Sequence, residues 1–144
     1  MHVDVSFPGG AEVAARYRGH SILTDQPFES GGGDAAPSPF DLFVASLAAC
    51  AGYYALRFCQ QRGIDTKGLR VTLDAARDER THMVNLVRVH VALPADFPER
   101  YREAIVRAVD QCSVKRHLLQ PPTFEVVAES PAGHGDRLMH PCGI

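Results

Sequence analysis

Apolar and polar residues alternate from the start of the chain. Val3, Val5 and Phe7 interleave with Asp4 and Ser6, the period of two that marks a strand. Pro8-Gly9-Gly10 reads as a turn. Val13, Ala15 and Tyr17 then alternate again, with Arg16 and Arg18 on the opposite face. Gly19 breaks the run, and residues 20–25 read as a third short strand, so the chain is expected to open with a three-stranded meander.

The period then changes. Gly31-Gly32-Gly33-Asp34-Ala35-Ala36-Pro37 reads as a loop that leads to a marked helix start. Ser38 is a natural N-cap, Pro39 fits the first helical position, and Asp41 completes a capping box. The helix is predicted to run to about Arg62, with Gly63 as its stop. From Leu42 to Leu56 it is apolar around nearly its whole circumference, which predicts burial on most sides. In a small domain such a helix is expected at the centre, covered by a sheet on one side and by a second helix or a second subunit on the other.

Residues 69–80 and 81–93 are two longer strand-like runs, joined by Asp78-Glu79-Arg80-Thr81 as a hairpin connection. Asp96 is the expected cap of a second helix, with Glu99 three residues on. Tyr101, Ala104, Ile105, Ala108, Val109 and Cys112 follow one face of that helix. A short basic turn, a last strand over residues 123–129 and a loose tail over residues 130–144 complete the reading. The order βββ-α-ββ-α-β predicts a single α+β domain with antiparallel sheets.

Composition narrows the function classes. Hydrophobic residues make up 45% of the 144 positions and charged residues 22%, which suits a globular core. A net charge of -2 lacks the basic surplus that phosphate binding needs, so nucleic acid is not expected as a partner. The apolar run from Leu42 to Leu56 falls short of the roughly 20 residues of a membrane span, so no membrane association is expected. The start, Met1-His2-Val3-Asp4, has neither the basic nor the apolar segment of a secretion signal. Four cysteines are too few for a disulfide scaffold, and a reducing cytoplasm is the expected compartment.

Two of those cysteines carry the candidate chemistry. Cys50 lies inside the apolar helix and Cys112 at the end of the second helical pattern. Cys50 reads either as a small buried hydrophobe or as a reactive thiol. A thiol pair on two packed helices can form, break and reform one disulfide, the minimum equipment for thiol-based peroxide reduction. Cys50 sits roughly three turns into its helix, beyond the reach of that helix's own dipole. A cation from elsewhere is therefore expected to activate it, with Arg16 and Arg18 as candidates and Asp41 as the group that orients the arginine. Cys59 is excluded as a partner for Cys50. Nine helical residues rotate by about 900° and advance roughly 13 Å, whereas a disulfide needs Cα atoms within about 7 Å. Cys112 is free of that limit. Cys142 reads as a spectator in the tail, and its neighbours His134 and His140 match no zinc pattern. Ser46 has no base partner, and Gly31-Gly32-Gly33 lacks the Lys-Ser/Thr of a phosphate loop.

The stretch from Gly31 through Ser38-Pro39-Phe40-Asp41-Leu42 to Ala48-Ala49-Cys50 resembles the signature of the OsmC/Ohr family. Cys112-Ser113-Val114-Lys115-Arg116-His117-Leu118 resembles that family's second cysteine motif. The two cysteines are 62 residues apart (112 − 50). The resemblance covers nearly the whole chain. It implies an OsmC-like fold, an intertwined homodimer with sites at the subunit interface, and reduction of organic hydroperoxides. The peroxidatic cysteine would be Cys50 and the resolving cysteine Cys112, with Arg16 or Arg18 and Asp41 holding the thiolate. An external dithiol would restore both thiols, without metal or organic cofactor. Phe43, Leu47, Tyr53 and Tyr54 are expected to line an apolar site that favours alkyl peroxides. Three features depart from the family pattern: Phe40 stands where one branch carries Glu, the acid is Asp41 one position later, and Ser113 replaces a common Pro. Two other functions fit the same scaffold, a non-catalytic module for a small lipophilic ligand and a redox sensor.

Overall fold

The computed structural model describes residues 1–129, so the expected tail and Cys142 lie outside the described residues. Strands β1 (Asp4–Gly9), β2 (Glu12–Tyr17) and β3 (His20–Thr24) pair antiparallel in that order, as their alternation predicts. In the β2–β3 turn Arg18 and Gly19 have φ of 49° and 82°. Positive values at both positions let a two-residue turn follow the strand twist. Arg18 therefore lies in the turn and does not share a strand face with Arg16, which stands opposite Asp4 and Ser21.

Asp25 follows β3 and is buried. Its carboxylate accepts the backbone N–H groups of Gln26 at 2.7 Å, Gly33 at 2.9 Å and Ala35 at 3.0 Å, which fixes the glycine-rich loop. Gly32 has no substitute in this loop, because a Cβ there would sit 1.8 Å from the Gln26 carbonyl oxygen.

Helix α1 (Pro39–Gln60) starts on the expected capping box. The Asp41 N–H donates to the Ser38 hydroxyl at 3.2 Å, and the Ser38 N–H donates to the Asp41 carboxylate at 2.9 Å. Its far end closes in a Schellman motif around Gly63, at φ 63°. The Gly63 N–H reaches the Gln60 carbonyl at 3.2 Å and the Ile64 N–H reaches that of Cys59 at 3.0 Å.

Strands β4 (Arg70–Arg77) and β5 (Val84–Ala92) form a second, two-stranded sheet. Asp78 shapes their connection by accepting the N–H groups of Arg80 and Thr81 and the Thr81 hydroxyl. Val71 pairs with Val91 and Leu73 with Val89, and this apolar face packs on α1. The core gathers Ala51, Ala55, Phe58 and Cys59 of α1 with Phe97, Ile105 and Val109.

Several expectations need correction. The second helix is not continuous to Cys112. A single turn, Glu99–Tyr101, precedes α2 (Arg102–Val109), and the chain then leaves helical geometry and restarts as α3 (Ser113–Leu119). Asp96 makes no cap. The basic stretch expected as a turn is the last part of α3, where Arg116 and His117 face the negative end of the helix dipole. Residues 123–129 form no strand, and Phe124 and Val126 stay exposed. Their alternation reports a surface suited to half-burial, but a strand also needs a neighbour for its N–H and C=O groups. Within the single chain α1 buries Leu47, Ala51, Ala55, Phe58 and Cys59 along one stripe, which leaves open the side expected to lie against a second helix or a second subunit. Tyr53 and Leu56 are exposed. By length and composition α1 could cross a membrane. Here its buried stripe packs against α2, α3 and β4, as the core helix of a domain does.

Candidate active site

Two elements meet at the candidate site. Cys50 projects from α1 about three turns from its start. Cys112 is the N-cap residue of α3, which packs against α1. Both are free thiols; Cys112 is buried and Cys50 half-buried. The Cys50 sulfur lies 3.5 Å from the Ser113 hydroxyl oxygen.

The electrostatics of the two thiols diverge. Burial works against ionisation of Cys50. It is outweighed by hydrogen bonds to its sulfur from the Cys112 thiol, the Val114 N–H, and the Ser113 hydroxyl and N–H, so the Cys50 thiol sits below its ordinary pKa. Burial pushes the Cys112 thiol up. Its hydrogen bond to Cys50 and the charge there push it further, against the backbone N–H groups of Lys115 and Val114. One thiol is thus poised to ionise and its neighbour to keep its proton. That division suits a nucleophile and a second thiol that attacks later.

Within the single chain, neither Arg16 nor Arg18 is among the groups that shift Cys50. Among the described residues, the groups acting on Cys50 belong to the start of α3. Arg16 and Arg18 sit in and beside β2, and no strand of that sheet packs broadly on α1. The Arg18 guanidinium lies 5.9 Å from the centre of the Tyr17 ring. Asp41 is about 13 Å along the helix axis from Cys50, held by Ser38, whose hydroxyl and N–H lower its pKa. The guanidinium acting on Asp41 is that of Arg77 on β4, 5.0 Å from the Phe40 ring centre, a pairing that the sequence pattern does not reveal. Ser46 donates its hydroxyl to the Phe43 carbonyl at 2.7 Å, which accounts for it structurally.

Phe43, Leu47, Tyr53 and Tyr54 fall within roughly 60° of Cys50 around the helix axis. They do not form one lining. Leu47 is buried and borders a largely apolar cleft of about 400 Å³ shared with Val89, Val106, Val109, Leu118 and Cys112. The paired Asp110 and Lys115 border it too. Phe43 packs on Phe40 with ring centres 5.6 Å apart, and Tyr53 and Tyr54 meet edge to face at 5.9 Å. Cys59 is fully buried in the core, and burial pushes its thiol pKa up, against the Arg62 charge, which disfavours the thiolate there. The donors on Cys50 escape sequence reasoning because the segment that forms α3 reads as a turn. A signal is present in the small polar residue after Cys112 and the cations two and three residues beyond it.

A reduced thiol pair held between two helices beside two antiparallel sheets defines an α+β domain of the OsmC type. The chain belongs to the OsmC-like protein family, whose sequence model matches residues 31–127. Solved structures with this fold include a protein from Psychrobacter arcticus 273-4 described as an osmotic stress induced and detoxification response protein. It is 21% identical, with a TM-score of 0.68 over 79% of this chain and 85% of that one. A hypothetical protein from Aquifex aeolicus VF5 is 15% identical, with a TM-score of 0.60 over 83% and 87% of the two chains. The organic hydroperoxide resistance protein OsmC from Legionella pneumophila is 17% identical, with a TM-score of 0.53 over 82% and 89%. Curated proteins give no match.

Proposed function

We propose that this protein is a thiol-dependent reductase of organic hydroperoxides, acting through Cys50 and Cys112. The observation that carries the reading is the placement of the Cys50 sulfur against Cys112 and Ser113, with its pKa lowered while that of Cys112 is raised.

The Cys50 thiolate attacks the distal oxygen of the hydroperoxide. A sulfur–oxygen bond forms and the O–O bond breaks. The departing alkoxide takes a proton and leaves as the alcohol, and Cys50 becomes a sulfenic acid. The Cys112 thiol condenses with it, forming the disulfide and releasing water. An external dithiol then attacks the disulfide, is itself oxidised to a disulfide, and returns Cys50 and Cys112 to thiols. The apolar cleft beside Cys112 favours peroxides with an alkyl body over hydrogen peroxide. Membership of a family with hydroperoxide resistance proteins among its structural relatives supports this class of substrate.

The working unit in this reading is a homodimer in a reducing cytoplasm. Exposed Val5, Phe7, Phe124 and Val126, together with the uncovered side of α1, are apolar surface that a second copy of the chain could cover.

Steady-state consumption of cumene hydroperoxide and of hydrogen peroxide with dithiothreitol tests the reading. Turnover is expected with both, faster with the organic peroxide. No turnover, with Cys50 left reduced, would favour a lipophilic-ligand module built on the same cleft.

A further inference from the structure

Among the described residues, the one side-chain hydroxyl in contact with the reacting sulfur belongs to Ser113. We propose that Ser113 is a catalytic residue whose hydroxyl hydrogen-bonds to the Cys50 sulfur, holding it as the thiolate on the solvent side of the thiol pair. The assignment deepens the reductase reading and rests on it for its catalytic meaning.

Three observations carry it. The oxygen–sulfur distance is 3.5 Å, within hydrogen-bonding reach for sulfur. A thiolate has no proton to give, so in the reactive state the hydroxyl is the donor. Ser113 makes no other side-chain hydrogen bond among the described residues, so its rotor is free to follow the sulfur. Its backbone is fixed nonetheless: the Ser113 carbonyl accepts from His117 Nδ1 at 2.7 Å, and the residue begins α3. The direction of approach matters as well. Cys112 is buried and reaches Cys50 from the interior, whereas Ser113 is exposed. Ser113 thus contacts the Cys50 sulfur from a solvent-exposed position. The N–H groups of Ser113 and Val114 belong to the backbone and survive any substitution that preserves α3. The hydroxyl is the donor whose removal leaves both cysteines in place.

The test is the pH profile of Cys50 alkylation by iodoacetamide, followed on the Cys50 peptide by mass spectrometry in the full chain. Ser113→Ala is expected to raise the midpoint by about one unit and to slow alkylation at pH 7 roughly tenfold, with no difference once both proteins are fully ionised. Ser113→Thr keeps the hydroxyl and is expected to stay close to the parent profile. A Ser113→Ala profile that superimposes on the parent, or a Ser113→Thr profile displaced as far as that of Ser113→Ala, would overturn the assignment. Alkylation needs no turnover, so the two readings fail separately. A shifted profile in a protein without peroxide turnover establishes the hydrogen bond and removes the reductase reading.

Discussion

The Cys50 sulfur and the Ser113 hydroxyl lie 3.5 Å apart although 63 positions separate them in the chain. The contact exists because α3 starts where α1 passes, so the first residues of one helix supply donors to a thiol in the middle of another. A thiol too deep in its own helix to feel that helix's dipole has its pKa lowered by hydrogen bonds from Cys112, Ser113 and Val114.

Cys50→Ser is expected to abolish peroxide turnover with the fold intact, since the hydroxyl is nearly isosteric with the thiol. Steady-state assays with cumene hydroperoxide and a dithiol, alongside circular dichroism, check both halves. Undiminished turnover would remove Cys50 from the mechanism.

Cys112→Ser is expected to leave the first oxidation intact and to trap Cys50 as a sulfenic acid, which excess peroxide carries on to the sulfinic and sulfonic acids. Mass spectrometry of peroxide-treated protein reads this directly. In the parent protein the same treatment should give a Cys50–Cys112 bridge. A bridge from Cys112 to Cys59 in its place contradicts the assignment.

The two thiols are expected to ionise on opposite sides of the ordinary thiol value. Cys50 is lowered by its donors and Cys112 is raised by burial. Alkylation of Cys50 should therefore be half-maximal at a lower pH than that of an unperturbed thiol, and that of Cys112 at a higher one. Cys112→Ala removes a donor from Cys50 and should move its midpoint upward. A midpoint that falls or stays put would show that Cys112 contributes no hydrogen bond.

Acid sensitivity should trace in part to Asp25. Its carboxylate accepts N–H groups from Ala35, Gln26 and Gly33, which outweigh the cost of burial and lower its pKa in the folded protein. The unfolded chain then binds the proton more tightly. The stabilisation is present above the unfolded carboxylate pKa of about 3.9 and is lost as pH falls through the folded value. Asp25→Asn should be less stable near neutral pH and show a flatter decline below about pH 4. Urea unfolding at a series of pH values provides the comparison.

Ile105 is fully buried between α2 and the α1 stripe. Ile105→Ala should cost about 2–5 kcal/mol, from lost burial and the cavity left behind. Urea denaturation measures it. For the proposed dimer, Val126→Asp places a charge on an exposed apolar segment and should yield monomers by light scattering. A parent protein that is already a stable monomer at micromolar concentration would overturn the assembly.

Local chemistry makes much of this protein legible from its sequence. Ser38, Pro39 and Asp41 set the start of α1, and Gly63 its end, because caps are satisfied by residues three or four positions away. The break at Gly19 and the β4–β5 hairpin follow from short-range rules of the same kind, although the alternation alone carries Arg18 onto the strand. The two cysteine motifs, read together, mark the family. Tertiary structure alone decided the rest. Residues 123–129 carry a strand's alternation but find no neighbouring strand among the described residues, and pairing is a long-range event that alternation does not encode. The restart of the chain as α3 turns an apparent basic turn into the source of the donors on Cys50. Arg77, not Arg18, faces Asp41 because the β4–α1 packing brings it there. A thiol's pKa depends on the few groups within hydrogen-bonding reach of its sulfur. For Cys50 those groups come from positions 112–114, and only the folded chain brings them to it.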